Sequence, residues 1–302
     1  MTNFILLFFY ISIGFVLKNI KLPIINLHLK INRFIITIAL PAMILLQIPK
    51  LHFSMDNLIP MYIAWATMGG CAILVYFISK YYAFNKEVTG SLMLVTVLTN
   101  STFVGIPVIT AYYGLESLPF IVLYDQLGTS LWLATYGTIV AAYYGSKGEV
   151  SFMMIGKKIM RFPPLIAFIV AVILNSFHYT YPDMIINILE ILMLVLVPLA
   201  LISVGLQLQF KLDANEIKPF TISLIIKLII SPIIAIVICY IFGWNSLLVG
   251  KISIMESGMA AMITAGVIAS INGLAPRLSN AIVAYGITLS VITSGILYLI
   301  IE

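Results

Sequence analysis

A chain of 302 residues that is 62% hydrophobic and 9% charged is much more apolar than a soluble domain, in which about 25% of residues are charged. This composition, with a mean hydropathy of +1.13, excludes a soluble globular protein and predicts an integral membrane protein. The net charge of +5 falls mainly in the connections between apolar segments and indicates no nucleic-acid partner. The two cysteines and three histidines are scattered, so their spacing predicts neither a metal centre nor a disulfide framework.

Apolar segments recur along the whole chain, and a helix needs roughly 20 residues to cross a bilayer. Ten membrane-spanning helices are predicted, near residues 2–17, 31–49, 58–80, 89–113, 117–144, 162–178, 184–208, 219–242, 246–271 and 278–301. Cytoplasmic loops of membrane proteins are enriched in Lys and Arg. Thirteen of the 16 basic residues lie in the odd-numbered loops. These loops are therefore predicted to face the cytoplasm, which places both termini outside a multi-pass protein of the cytoplasmic membrane.

The fourth apolar segment contains a polar interruption at residues 99–107, TNSTFVGIP. Pro107 removes a backbone N–H and clashes with the preceding turn, and Gly105 loosens that turn, so we predict a break in the helix. A break at membrane depth is tolerated where protein surrounds it or where it lines a wet cavity, and many secondary transporters build their midplane site from such breaks. We interpret this segment as a binding site. The alternative is a kinked helix whose polar side chains only bond to neighbouring helices.

The residues around this interruption also resemble a known protein family. Asn100, Gly105, Pro107 and Gly114, followed by the run LESLPFIVLYDQLGTSLWLATYGTIV from Leu115, are similar to a motif of the auxin efflux carrier family. Bacterial members of that family include permeases for malate, malonate and related organic acids. The resemblance covers the whole chain in length and layout. It implies that two broken helices, the fourth and the ninth, cross in the middle of the membrane.

The ninth segment is therefore expected to contain the second break. It includes Glu256, Ser257, Gly258 and Gly266, which weaken or decorate a helix at the corresponding depth. The family usually has a proline where Ala260 stands here. The sharpness of this second break is accordingly left open by the sequence.

The order of the segments favours an inverted repeat. Division at the long polar connection leaves two sets of five spans, and because five is odd the second set runs in the opposite orientation. The sequence around Pro41 in the second segment has a similar counterpart around Pro198 in the seventh, although leucine-rich segments can also be alike by chance. The predicted fold class is an all-α polytopic membrane protein with ten transmembrane helices in a 5+5 inverted repeat. It divides into a first repeat at 1–145, a cytoplasmic linker at 146–161 and a second, inverted repeat at 162–302, all in one membrane domain.

Ionisable residues inside membrane segments are costly at the bilayer centre and need a reason. Glu256 and Asp125 are predicted to be ion-coupling residues, because a carboxylate can carry a proton or ligate sodium. The alternatives are a structural pair of Glu256 with Lys251 or Lys227, and a polar contact of Asp125 with a neighbouring helix. Lys227 either extends its ammonium group to the membrane surface or, where it faces the crossing, pairs with a substrate carboxylate.

An anionic substrate would find free N–H groups and the positive ends of helix dipoles at the two breaks. The predicted substrate-binding residues are Asn100, Ser101, Thr102, Gly105, Pro107, Ser257, Gly258 and Lys227. No cofactor is predicted apart from sodium or protons as the coupling ion, because the chain has no GxxxxGK[ST] motif for a nucleotide.

Together these features predict a secondary active transporter that works by alternating access. The family resemblance implies a small organic anion, such as the dicarboxylates malate or malonate, as substrate. The other expected partners are the lipid bilayer and, as an open option, a second copy of the chain in a homodimer. The alternatives are a sodium-coupled transporter of the bile-acid or arsenite type with a related fold, and a non-transporting membrane sensor or partner subunit. An enzyme is not expected, because the sequence has no HExxH, no paired membrane aspartates and no GxSxG with a membrane histidine.

Overall fold

The computed structural model describes residues 2–20, 27–51, 54–145, 161–208 and 212–302. Within these ranges the backbone is almost entirely helical and forms no β-strand, which confirms the predicted all-α class for this part of the chain. The α-helices are, in chain order, α1 (Thr2–Asn19), α2 (Leu27–Phe34), α3 (Leu40–Gln47), α4 (Ile59–Tyr81), α5 (Lys86–Val95), α6 (Ile106–Tyr113), α7 (Leu118–Leu123), α8 (Thr138–Tyr144), α9 (Pro163–Ser176), α10 (Asp183–Leu194), α11 (Leu196–Gln207), α12 (Ile217–Ile225), α13 (Ser231–Phe242), α14 (Leu248–Ser257), α15 (Ile263–Ile271) and α16 (Pro276–Ile301).

Several helical stretches have the length and apolarity of membrane spans. Among the described residues, five stretches are long and apolar enough to cross a membrane: Leu27–Lys50, Met55–Tyr81, Asp183–Gln207, Ala214–Phe242 and Pro276–Ile301. Leu6–Asn19 and Pro163–Ser176 are shorter apolar helices. These stretches fit a polytopic membrane protein, whereas the ten spans and the inverted repeat remain predictions. The predicted linker at 146–161 lies, apart from its last residue, outside the described residues.

The helices pack in two groups. In the first group α1 and α2 pack against α11, and α3 packs against α9 and α10. In the second group α4 packs against α13 and α14, and α15 packs against α5 and α16. The π-helical turn Ser101–Gly105 and α6 contact α11 of the first group and α14 of the second, and α7 likewise contacts both α3 and α4. The polar interruption predicted from the sequence therefore begins the part of the chain that lies between the two groups.

Three of the described helices widen into a π-turn just before a proline. The residue that precedes each proline donates its N–H to the carbonyl five positions earlier: Leu40 to Ile35, Ile106 to Ser101 and Ser231 to Ile226. A proline ring in a regular helix clashes with the carbonyl four positions earlier. The wider turn gives that carbonyl room, so the helix continues through the proline with a local change of register.

The backbones of α1 and α11 approach each other closely at Gly14 and Gly205. A Cβ atom added to Gly205 would lie 2.8 Å from the nitrogen of Phe15 and 2.9 Å from the Cα of Gly14. Contacts this short do not occur at real Cβ atoms, so only glycine fits here. In membrane proteins small residues allow this close approach, which strengthens van der Waals packing between helices.

Replacing Gly205 with alanine is expected to force α1 and α11 apart and to cost about 1–3 kcal/mol of stability, as overpacking does. The apparent melting temperature of the purified protein in detergent should fall by several degrees. Gly69→Ala is the matched control, because a Cβ atom at Gly69 in α4 meets nothing closer than Trp132 at 3.7 Å. An equal fall for both variants would contradict the close-packing interpretation.

Candidate functional site

The two interrupted helices meet at a short region that we call the crossing, formed by residues 96–100 and 258–262. The first interruption separates α5 from the π-turn at Ser101, and the second separates α14 from α15. Thr99 and Ala261 form an antiparallel β-bridge. The predicted meeting of the two interrupted segments is therefore confirmed.

Backbone hydrogen bonds hold the crossing together. The N–H of Asn100 donates to the carbonyl of Ala260 at 2.9 Å, and the N–H of Met262 donates to the carbonyl of Leu98 at 3.0 Å. These bonds give the second interruption backbone partners although Ala260, and not a proline, stands there. Backbone groups that are not hydrogen-bonded within one interrupted helix therefore find hydrogen-bond partners in the other.

The first break lies earlier than the sequence indicated. We predicted it within residues 99–107, but α5 already ends at Val95 and the helix resumes as a π-turn at Ser101. Pro107 stands in the first turn of α6, where a proline is tolerated. The π-turn absorbs the clash of the Pro107 ring, so the proline itself does not mark the break.

Asn100 lies at the point where the helix resumes, and its side chain is 2% exposed. Its Oδ1 atom accepts a hydrogen bond from the N–H of Phe103 at 3.3 Å, which caps the new helix. Its Nδ2 atom has no hydrogen-bond acceptor among the described residues. Because an unsatisfied buried donor is costly, this amide is suited to donate to a ligand.

Ser101 and Thr102 point to Asp125 rather than to open space. Both hydroxyl groups donate to Oδ1 of Asp125, the one from Thr102 at 3.0 Å. The amide of Gln126 donates to Oδ2 at 2.6 Å. Asp125 lies in a second π-helical stretch, Tyr124–Ser130, and its carboxyl group is held by three side-chain donors.

Lys227 faces the crossing and does not extend to a membrane surface. Its side chain is buried within the π-turn Ile226–Ile230, and its Nζ atom donates to Oγ1 of Thr99 at 2.5 Å. Thr99 is the residue that forms the β-bridge. The ammonium group is thus fixed on the crossing itself.

Glu256 lies near the end of α14, and its side chain is 0% exposed. Neither carboxyl oxygen has a hydrogen-bond partner among the described residues. Its carboxyl group packs directly on Gly105, because a Cβ atom added to Gly105 would lie 2.7 Å from Oε2 and 2.8 Å from the carboxyl carbon. A side chain at position 105 would therefore displace the Glu256 carboxyl group from this place.

The remaining predicted site residues, Ser257 and Gly258, take part in hydrogen bonding and packing at the end of α14. The hydroxyl of Ser257 donates to the carbonyl of Ile254 at 2.6 Å, so it is used within its own helix. A Cβ atom added to Gly258, which directly follows α14, would lie 3.0 Å from Leu297. Neither residue offers a spare side-chain donor to a ligand.

Lys251, one of the two lysines considered as a partner of Glu256, is engaged elsewhere. It pairs with Oε2 of Glu302 at 3.0 Å, and the hydroxyl of Tyr113 donates to Oε1 of the same carboxyl group at 3.0 Å. The hydrogen bond from Lys251 holds the pKa of Glu302 below its ordinary value. Within the described part of the chain, no ion pair joins Glu256 to either lysine.

An apolar cavity of about 340 Å³ lies between helices of the first group and the connecting helices α6 and α7. It is lined by α1, α3, α6, α7, α10 and α11, with Pro107 and Thr110 on its α6 side. Opposite them lie Tyr10, Met43 and Leu201. Of the predicted substrate-binding residues in the described chain, only Pro107 lines this cavity.

The structure adds residues to the site that the prediction left out. Thr99 holds Lys227, Gln126 holds Asp125, and the hydroxyl of Tyr124 faces Thr99 and Glu256. Thr99 stood inside the polar interruption, and Gln126 stood next to Asp125 in an apolar segment. Both positions were therefore visible as polar residues at membrane depth, but their partners lie on other helices.

Gly105→Ala and Glu256→Ala are expected to be coupled in their effect on stability. Alanine at position 105 overlaps the Glu256 carboxyl group and should lower the stability by displacing it, whereas the same change in a Glu256→Ala background meets a vacated space. Thermal unfolding of the two single variants and the double variant measures the coupling. Gly69→Ala combined with Glu256→Ala is the control and should be additive. Additive losses for the Gly105 pair would contradict the contact.

Comparison with known proteins places the whole chain among membrane transport proteins. A family model described as membrane transport protein matches residues 1–298. An uncharacterised transporter of Methanothermobacter thermautotrophicus is 28% identical over 267 residues, which are 87% of this chain and 85% of that protein. An uncharacterised transporter of Methanocaldococcus jannaschii is 30% identical over 246 residues, which are 78% of each chain. Both halves of the crossing lie within the region that the family model matches.

Proposed function

Because the chain belongs to the auxin efflux carrier family of membrane transport proteins, we propose that it is a secondary active transporter of a small organic anion in the cytoplasmic membrane. In this proposal the chain has ten spans in an inverted repeat, with both termini outside. The preferred substrate class is a dicarboxylate such as malate or malonate. The crossing binds the substrate carboxylate.

One observation carries this proposal, the spare donor of Asn100. Its amide nitrogen is buried, has no acceptor among the described residues, and lies where the helix Ser101–Tyr113 begins. The start of a helix presents free N–H groups and the positive end of its dipole, which favour an anion. α15 begins on the other side of the crossing, so a carboxylate there would lie near two such helix starts.

The packing of the helices supports alternating access. The crossing is flanked along the chain by α5, α14 and α15 of one group, while α1, α3 and α11 pack as a separate group. We propose that the group holding the crossing moves against the other and exposes the site to each side of the membrane in turn. Glu256 and Asp125 would carry the coupling ion, since both are buried beside the crossing.

The apolar cavity favours a second candidate within the same class. Its walls are mostly hydrocarbon and include Pro107, which follows the anion-binding residues by a few positions. A monocarboxylate with an apolar body would place that body in this cavity, against Pro107. A dicarboxylate would place its second charge among mostly hydrocarbon walls, where the described lining offers the hydroxyl groups of Tyr10 and Thr110 but no positive charge.

Thermal stabilisation of the purified protein by a panel of C3 to C6 mono- and dicarboxylates and indole acids tests the substrate class. A ligand that binds only the folded state raises the melting temperature by mass action. Selective stabilisation by malate-like acids would support the dicarboxylate, and selective stabilisation by acids with an apolar body would support the second candidate. If no acid stabilises the protein, the organic-anion proposal is wrong.

Asn100→Ala should weaken binding of the stabilising acid by about 10- to 100-fold, since a hydrogen bond to a charged group contributes about 1.5–3 kcal/mol. Asn85→Ala is the matched control. Asn85 also caps a helix, accepting a hydrogen bond from the N–H of Val88 at 2.8 Å, but it lies at the start of α5 away from the crossing. Both variants lose a helix cap. If Asn100 donates a hydrogen bond to the substrate, only Asn100→Ala should weaken acid binding, and equal weakening in both variants would contradict this role.

A further inference from the structure

The crossing holds three ionisable groups in one buried cluster, which we call the charge cluster: Asp125, Lys227 and Glu256. All three side chains are at most 4% exposed, and each comes from a different helical segment. Glu256 interacts electrostatically with both of the others. Among the described residues, the further titratable groups that face the cluster are Tyr124, beside Glu256, and Cys71 of α4, beside Lys227.

The three groups differ in how fully the protein satisfies them. Asp125 accepts hydrogen bonds from Ser101, Thr102 and Gln126. Lys227 donates to Thr99 at 2.5 Å and is fixed there. Glu256 alone receives no hydrogen bond from the described residues at either oxygen. Glu256 is therefore the member of the cluster that is available to an exchangeable ion.

The formal charges do not balance. Two carboxylates and one ammonium group leave one negative charge in a buried place, where an uncompensated charge costs several kcal/mol. One more unit of positive charge at Glu256 would neutralise the cluster. A proton and a monovalent metal ion both have that charge.

The two ions differ in the surroundings that they need at Glu256. The Lys227 ammonium group opposes both of them alike, because a proton and a sodium ion carry the same charge. A sodium ion also needs several oxygen ligands, whereas Oγ1 of Thr99 is already bonded to Lys227 and Gly105 occupies one side of the carboxyl group with backbone carbon. A proton needs only one carboxyl oxygen and adds no volume.

We propose that Lys227 acts as a built-in cation that excludes sodium from the charge cluster, so that Glu256 binds and releases a single proton as the coupling ion. The proton leaves to water on the side to which the crossing is open and returns from water on the other side. This inference rests on the proposed transport function only where it calls the proton a coupling ion. The ion-binding properties themselves belong to the protein without substrate.

The first test measures sodium binding without any organic anion. Wild-type protein, Lys227→Met and the double variant Lys227→Met/Glu256→Gln are melted in graded sodium chloride, with choline chloride keeping the ionic strength constant. The wild type should show no sodium-specific stabilisation. Lys227→Met should gain a rise of several degrees with sodium, and the double variant should lose it. Sodium-specific stabilisation of the wild type, or its absence in a folded Lys227→Met protein, would overturn the proposal.

A second test does not require any substitution of Lys227. Infrared difference spectra of the wild type during a pH titration should contain the carbonyl band of a protonated carboxylic acid. Glu256→Gln should remove this band, and Glu87→Gln, at the exposed start of α5, should retain it. A band that is absent from the wild type, or that survives in Glu256→Gln, overturns the proposal. If no organic acid binds, the proposed substrate class is wrong, and the expected results of these two tests remain the same.

Discussion

The structure depends on one constraint, that every backbone N–H and C=O group at membrane depth needs a hydrogen-bond partner within the protein. A single interrupted helix cannot meet this constraint alone. Here two interruptions meet it together, because Asn100 bonds to Ala260 and Met262 bonds to Leu98. The polar side chains follow from the same arrangement: once the backbone is opened and paired, there is a dry but polar place in which Asn100, Lys227 and Glu256 can be buried.

Proline contributes to this site by shifting the helix register rather than by ending a helix. The π-turns before Pro107 and Pro232 carry Gly105 and Lys227, which contact Glu256 and Thr99 respectively. Inserting one extra residue into a turn rotates the following side chains around the helix axis. π-Turns are found frequently at functional sites for this reason. The device leaves both helices continuous while it redirects the residues that form the charge cluster.

The local features of the site could be predicted from the sequence, and its pairings could not. Gly105, Asn100 and the buried acids were visible because glycine, a polar cluster and charge are unusual inside apolar segments. Nothing local indicated that Ser101 and Thr102 bind Asp125, or that Thr99 holds Lys227 at a sequence distance of 128 residues. The position of the first break was misjudged for the same reason, since the pairing with Ala260 places it and Pro107 does not. The all-α class needed only composition, whereas the number of spans depends on segments too short or too interrupted to be identified by length.

The backbone pairing at the crossing also has a consequence for biosynthesis. Asn100 and Ala260 are 160 residues apart, and a chain grows by about 5–20 residues per second, so the first interruption waits roughly 10–30 s for its partner. During that interval its open backbone groups must be kept hydrated or held by the insertion machinery, because lipid offers them no partner. A ribosome that stalls before α14 would leave a half-protein with exposed polar backbone in the membrane, the kind of defect by which membrane quality control can distinguish an unfinished chain from a finished one.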